Sequence, residues 1–329
     1  MDRRRCTLET LPPLELRPLR ELDLDAPPQE GRECHVSAAG GIVRRGDFIY
    51  VIGDDLLHLA VFRASDPGPG TLRRVLDGEL PVDEDARKSE KPDLEALTVL
   101  PPFPTAPYGA LFGLGSGSGP GRDRGFTWRL DADGSLKGEA AEVDLGPLYR
   151  RLGEEVEHLN IEGASVVGDR LWLLHRGNHA DTTNVVAELD LGEVMGSLAG
   201  DLRIDVHELA DIRVYDLGEL DGVALTFSDA TPLGDGVLVF TASAEADEES
   251  DGPDGEIRGS VVGTIGADGD VRRLRTIDRR WKVEGVHATT DTGVVDFLFV
   301  CDQDDPDVAS PLLSATMPLA ADVESSGPD

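Results

Sequence analysis

The chain's most constraining feature is an internal repeat, because a repeat of fixed length decides the architecture. From Asn160 the sequence reads NIEGASVVGDRLWLLHRGN: an acidic residue and a glycine, a short apolar run, a Gly-Asp turn, a second apolar run and a polar cluster. Related units start at Asp93 (DLEALTVLPPFPTAPYGALFGLGSGSG), Glu219 (ELDGVALTFSDATPLGDGVLVFTASAE) and Lys282 (KVEGVHATTDTGVVDFLFVCDQDDP), with a weaker copy at His35 (HVSAAGGIVRRGDFIYVIGDD). With Ser37, Glu95, Glu162, Asp221 and Glu284 as marker positions, successive copies lie 58, 67, 59 and 63 residues apart by subtraction. Two further β-like runs follow in each copy, as in GFTWRLDADGSLKGEAAEVDL and GSVVGTIGADGDVRRLRTI, both with a D-G turn between alternating apolar and polar residues. Four antiparallel strands repeated radially make a β-propeller.

The expected fold is therefore all-β: a five-bladed propeller with four-stranded antiparallel blades near residues 35–85, 93–147, 160–215, 219–278 and 282–320. The last copy stops after its third strand, PLLSATMPL, and residues 321–329 are a polar tail. The missing outer strand is expected from residues 1–25, where LELRPLRELDLD alternates from Leu14 to Leu24; shared by both termini, the last blade closes the ring and protects its edges. Two separate β domains are the alternative, and they leave the near-constant spacing without a cause.

Composition removes several function classes. The formal net charge is −33, and of 31 basic residues only Lys88, Lys91, Lys137 and Lys282 are lysine. Such a surface repels nucleic acid and anionic membranes, so neither is an expected partner. No apolar run approaches the roughly 18 residues of a membrane span. MDRRRCTLET is followed by no apolar signal region, and Cys6, Cys34 and Cys301 form neither a disulfide framework nor a zinc site. A cytoplasmic protein is expected, its acidity matching either a salt-rich cytoplasm or a genome's codon bias.

In a propeller the first strand of each blade is innermost, so the five markers converge on the central channel. Carboxylates crowded in a narrow channel cannot all ionise without a compensating cation. A ring of hard oxygens from Ser37, Glu95, Glu162, Asp221 and Glu284 suits Ca²⁺, whereas Zn²⁺ calls for the histidines or cysteines that do not recur here. The competing reading is that each carboxylate caps nearby backbone N–H groups or bridges blades through water. The second strand returns to the same face, which places Asp54, Ser116, Arg176, Asn178, Glu245 and Asp302 around the metal as candidate substrate-binding residues. Arg176 suits phosphate or carboxylate recognition. Arg122 and Arg124 either swing over that face or are ordinary loop charges. GLGSGSG has neither dinucleotide-binding phase nor a P-loop G-K-[ST], nor does it spell a nucleophile elbow. DQDDPD and DADGS are incomplete as EF-hand loops, and no catalytic triad can be drawn.

The phased Ser, Glu, Glu, Asp, Glu resembles the five-bladed calcium-dependent apyrases (soluble calcium-activated nucleotidases), and this resemblance implies one axial Ca²⁺ held by innermost-strand Ser and Glu residues. Asp221 stands where those enzymes have serine. The E-G-[AV] strand starts are also similar to those of esterase-like phytases and SMP-30/gluconolactonase propellers, and the chain resembles uncharacterised bacterial propeller families of the DUF6929 or DUF6910 kind. Three functions stay open: a Ca²⁺-dependent hydrolase of a phosphate ester or anhydride acting on a small anionic molecule, a lactonase or other ester hydrolase on the same metal, and a non-catalytic propeller that binds a ligand or protein around a structural metal.

Overall fold

The computed structural model describes residues 3–9, 11–177, 182–234, 236–246, 257–303 and 305–318. Five antiparallel sheets form the blades of a propeller. Blade 1 holds Ala39–Arg45, Phe48–Gly53, His58–Arg63 and Thr71–Arg74; blade 2 holds Leu94–Leu100, Ala110–Gly115, Arg124–Arg129 and Ala141–Asp144. Blade 3 holds Ile161–Val167, Arg170–His175, Asn184–Asp190 and Leu209–Asp216; blade 4 holds Thr226–Gly234, Val237–Glu245, Ile257–Ile265 and Val271–Thr276. Blade 5 takes Val283–Asp291, Val294–Cys301 and Pro311–Pro318 from its own repeat, and its outer strand is Arg17–Glu21. The register Arg17↔Ser314 to Glu21↔Pro311 closes the ring.

The apolar residues form five buried clusters, one in each seam between neighbouring blades. The second strand of blade 3 shows why. Leu171 and Leu173 pack toward blade 2, while Trp172 and Leu174 pack toward blade 4. A strand buried on both faces reads as a continuous apolar run rather than an alternation. The innermost strands touch one another in a closed ring around the axis.

The N-terminal segment does more than complete one blade. Arg3–Arg5 runs parallel to Val214–Asp216 as a fifth strand of blade 3. Next, the Glu9 N–H donates to the Leu274 carbonyl and the Leu14 N–H to that of Thr276, both in blade 4. After the closing strand, Asp25 donates to Gly70 and Gly70 to Asp23, at the rim of blade 1. Residues 3–25 thus form a strap along the outer edges of blades 3, 4, 5 and 1. Its apolar residues enter the seams beneath: Leu14 and Leu16 between blades 4 and 5, Leu22 and Leu24 between blades 5 and 1.

Candidate functional site

Every innermost strand carries a register shift at the same place in its blade. The unpaired residue is Gly40 in blade 1, Glu95 in blade 2, Glu162 in blade 3, Ser228 in blade 4 and Glu284 in blade 5. A β-bulge of this kind bends its strand and re-aims one side chain. In three blades that side chain is a glutamate, and all three line a central cavity of about 270 Å³. The residue after the bulge is small where neighbouring inner strands crowd together: a Cβ on Gly163 would lie 2.8 Å from the Ala230 nitrogen of the next blade. The glycine of each E-G pair is therefore a packing requirement of a narrow five-bladed ring.

Blade 4 solves the crowding differently. Asp229, fully buried, follows its bulge and reaches across to blade 5. One of its oxygens accepts the Val286 N–H at 2.8 Å and the other the Ala230 N–H at 2.7 Å. Burial pushes this carboxyl well above the usual carboxylate range, in spite of those two donors.

The central cavity is lined almost wholly by polar groups. Six carboxylates (Asp54, Glu95, Glu162, Glu245, Glu284 and Asp302) face three cations, Lys91, Arg176 and Lys282, a formal surplus of three negative charges. Glu162 accepts from Asn160 Nδ2 at 2.5 Å and lies 3.6 Å from Arg176 Nη1; the same guanidinium pairs with Glu245. Burial works against the charge on Arg176, but Glu162, Glu284 and Glu245 outweigh it and hold the guanidinium protonated. Lys282 lies 3.6 Å from Glu284 and 3.8 Å from Asp302. Burial, followed by repulsion from Glu162, raises the Glu95 carboxyl well above its ordinary value. The Glu284 side chain is buried, and its Oε2 has no hydrogen-bond partner among the described residues.

On the blade 1 side, Lys91 pairs with Asp54 and, at 2.7 Å, with Asp93. Asp93 also receives Arg122 at 2.9 Å and the hydroxyl of Ser116. Carboxylate oxygens of Asp54, Asp93 and Glu95 lie within 4.8 Å of one another, and the Lys91 ammonium supplies their counter-charge.

Of the expected metal ligands, Glu95, Glu162 and Glu284 line one cavity, wider apart than the 4.8 Å cluster of Asp54, Asp93 and Glu95, and two lie elsewhere. Asp221 sits on an exposed two-strand hairpin, Glu219–Leu220 with Val223–Ala224, and pairs there with Arg279. Ser37 lies three residues before the blade 1 bulge; it is buried, its carbonyl accepts from the Ser310 hydroxyl, and it lines an adjoining cavity instead. The bulge positions that correspond to them are Ser228, whose hydroxyl bonds Ser243, and Gly40. Of the expected second-strand residues, Asp54, Arg176, Glu245 and Asp302 line the cavity. Ser116 is buried against Asp93 outside it, and Asn178 lies outside the described residues. Arg122 faces the adjoining cavity, while Arg124 pairs with Glu142 at 2.6 Å on the outer strands of blade 2. Sequence reading missed Lys91, Asn160 and Lys282. Asn160 and Lys282 stand two residues before a bulge, on the same side of the strand as its glutamate, so the period of two was their signal.

The family described as "Family of unknown function (DUF6929)" matches residues 35–317. No curated protein matches the chain in sequence. Similar solved structures include a luciferin-regenerating enzyme, at 12% identity over 87% of this chain and 93% of that one with a TM-score of 0.43. Others are glutaminyl cyclase of Myxococcus xanthus (10%, 96% and 100%, 0.44) and a GH43 endo-arabinanase of Bacillus licheniformis (12%, 92% and 98%, 0.42). At these identities and scores no chemistry is carried across. The chain belongs to the DUF6929 family.

Proposed function

We propose that this DUF6929 member binds a hard divalent cation, Ca²⁺ foremost, at Glu95, Glu162 and Glu284, and acts as a hydrolase on a small anionic substrate, a phosphate ester or anhydride. The observation that carries the cation is Glu284 Oε2, a buried carboxylate oxygen without a partner in a cavity where three glutamates converge. Three carboxylates from three blades, Glu162 and Glu284 buried and Glu95 partly so, repel one another, and an oxygen-seeking cation with flexible geometry relieves that repulsion. When bound, such a cation supplies Lewis acidity toward a phosphoryl oxygen.

The chain's own cations supply the substrate contacts in this reading. Arg176 keeps Glu245 as its partner when Glu162 turns to the cation, and its fork geometry fits a phosphoryl group. Lys282 and Lys91 stand on either side of blade 1's cavity wall and add charge without a fixed geometry.

Calorimetry with Ca²⁺ and Mg²⁺ on the parent and on Glu284→Gln tests the cation, and an activity screen against phosphate esters, anhydrides and lactones with and without chelator tests the chemistry. Ca²⁺ at a hundredfold excess over its dissociation constant should stabilise the parent by about 2.7 kcal/mol, and Glu284→Gln should lose most of that gain. A parent that takes up no divalent cation sinks the proposal. Cation uptake with lactone turnover alone moves the substrate class to esters, and uptake with no turnover leaves a structural hub joining blades 2, 3 and 5.

A further inference from the structure

A second cavity, of about 430 Å³, opens where blade 1 hands over to blade 2. Ala38, Asp54, Lys91 and Asp302 line both it and the central cavity, so these four residues form one shared wall. Together the two spaces fall in the range of small-molecule sites. We infer that this cleft is the other half of the ligand site, and that it receives a second anionic group of a molecule whose first anionic group lies at the axial glutamates. The inference rests on the axial reading given above.

The first support is the gap in the ring. Glu95, Glu162, Ser228 and Glu284 fill four of the five bulge positions, and the fifth is Gly40. A Cβ there would lie 2.5 Å from Glu95 Oε2, so the Glu95 carboxylate leans across the space that a blade 1 side chain would take. On the blade 1 side the axial site is therefore walled by the small residues Ala38, Ala39 and Gly40, and Ala38 is shared with the cleft.

Charge supplies the second. The central cavity has its surplus of three negative charges, whereas the charged residues that belong to the cleft alone balance: Arg87, Lys88 and Arg122 against Asp55, Glu84 and Asp305. An anionic tail is therefore repelled less there than in the central cavity. Lysine placement agrees, since three of the four lysines (Lys88, Lys91 and Lys282) line the two cavities.

The three cleft cations differ in how readily they can turn to a ligand. Arg87 is buried, holding Asp55 at 2.9 Å and the carbonyl of Val82 at 2.6 Å, and so it fastens the helix Glu84–Glu90. Arg122 spans Asp93, Ser118 and the Lys88 carbonyl. Lys88 is the adaptable one: its side chain is 66% exposed and its one ion pair among the described residues, with Glu84, is an exposed contact of the kind that contributes little. Exchanging Glu84 for a ligand anion costs correspondingly little.

Calorimetry in saturating Ca²⁺ with two probes, methyl phosphate and 2-phosphoglycolate, tests this. The two share a phosphate, and only the second carries a carboxylate arm. The parent should bind 2-phosphoglycolate at least tenfold more tightly. Lys88→Glu should cut that ratio at least threefold and leave Ca²⁺ uptake and melting temperature unchanged, and Lys88→Gln should fall between. Ca²⁺ uptake with equal affinity for both probes, or with affinity for neither, overturns the two-anion inference alone. So does a ratio unmoved by Lys88→Glu. No heat from Ca²⁺ itself overturns the axial reading and takes this inference with it.

Discussion

Burial pushes the Glu162 carboxyl up to about 8 against the pull of Arg176, and Glu284 adds to the rise. A raised carboxyl binds its proton more tightly in the folded chain than in the unfolded one, so its contribution is present at low pH and is lost as pH climbs through 8. Glu162→Gln should flatten that part of the stability curve and stabilise the cation-free protein at pH 8 by on the order of 1–3 kcal/mol. Urea unfolding at pH 5, 6.5 and 8 reads the difference; parallel curves for parent and variant would remove Glu162 as the titrating group. Cation uptake at pH 7 should also release protons, visible as a binding enthalpy that changes with the buffer's ionisation enthalpy. Asp229 is the structural counterpart. Asp229→Asn keeps the shape but turns one acceptor into a donor, leaving a buried N–H of Val286 or Ala230 unpaired. A loss of about 1–3 kcal/mol is expected, and an unchanged unfolding midpoint would show that the two bonds do not hold blade 4 to blade 5.

At the scale of strands and hairpins, the difference between Asp221 and Ser228 explains which parts of the site were legible in the sequence. Asp221-Gly222-Val223 copies the letters of Glu284-Gly285-Val286, yet Asp221 and Gly222 have φ of 50° and 82° and make the tight turn of a two-residue hairpin. Such a turn favours an Asp-Gly pair, which resembles the Glu-Gly pair of a crowded inner strand. Letters alone cannot separate the two uses. The preceding apolar residue cannot either, as Leu220 stands before Asp221 just as Leu94, Ile161 and Val283 stand before their glutamates. Blade count, closing strand and three glutamates were readable because paired apolar runs and their turns recur at near-constant spacing; Lys91 was not, because it comes from the connection between blades 1 and 2. The seam between blades 5 and 1 carries a further test. His287 lies there in the innermost strand with both ring nitrogens unpartnered among the described residues, and burial, followed by Arg44 and Arg45, lowers its value to about 4. A depressed histidine stays neutral in the folded protein while the unfolded chain takes up a proton, so stability should fall by about 2–3 kcal/mol as pH drops from 6.5 to 4. His287→Leu should lose that part of the acid sensitivity; a variant as acid-labile as the parent would place the cause elsewhere.

For the molecule as a whole, the strap makes a two-step truncation informative. Removing residues 2–13 takes away the contacts with blade 3 and that of Glu9 with blade 4 but keeps Leu14 against Thr276 and Arg17–Glu21 in blade 5, so a monomer with a lowered melting temperature is expected. Removing residues 2–25 bares the edge of Pro311–Pro318 and should give aggregation. Size-exclusion chromatography separates the outcomes, and a monomeric, fully stable product of the longer deletion would rule out the closing role. The strap also sets an order in time. A ribosome delivers residues 3–25 first, yet their partners are Val214–Asp216, Leu274, Thr276 and Pro311–Ser314. At about 5–20 residues per second, the first strand made waits on the order of tens of seconds for the last. Each seam can close as the chain emerges, but the ring itself locks only once Pro311–Pro318 has been made, and until then its leading segment is a loose β-strand exposed to every other chain nearby.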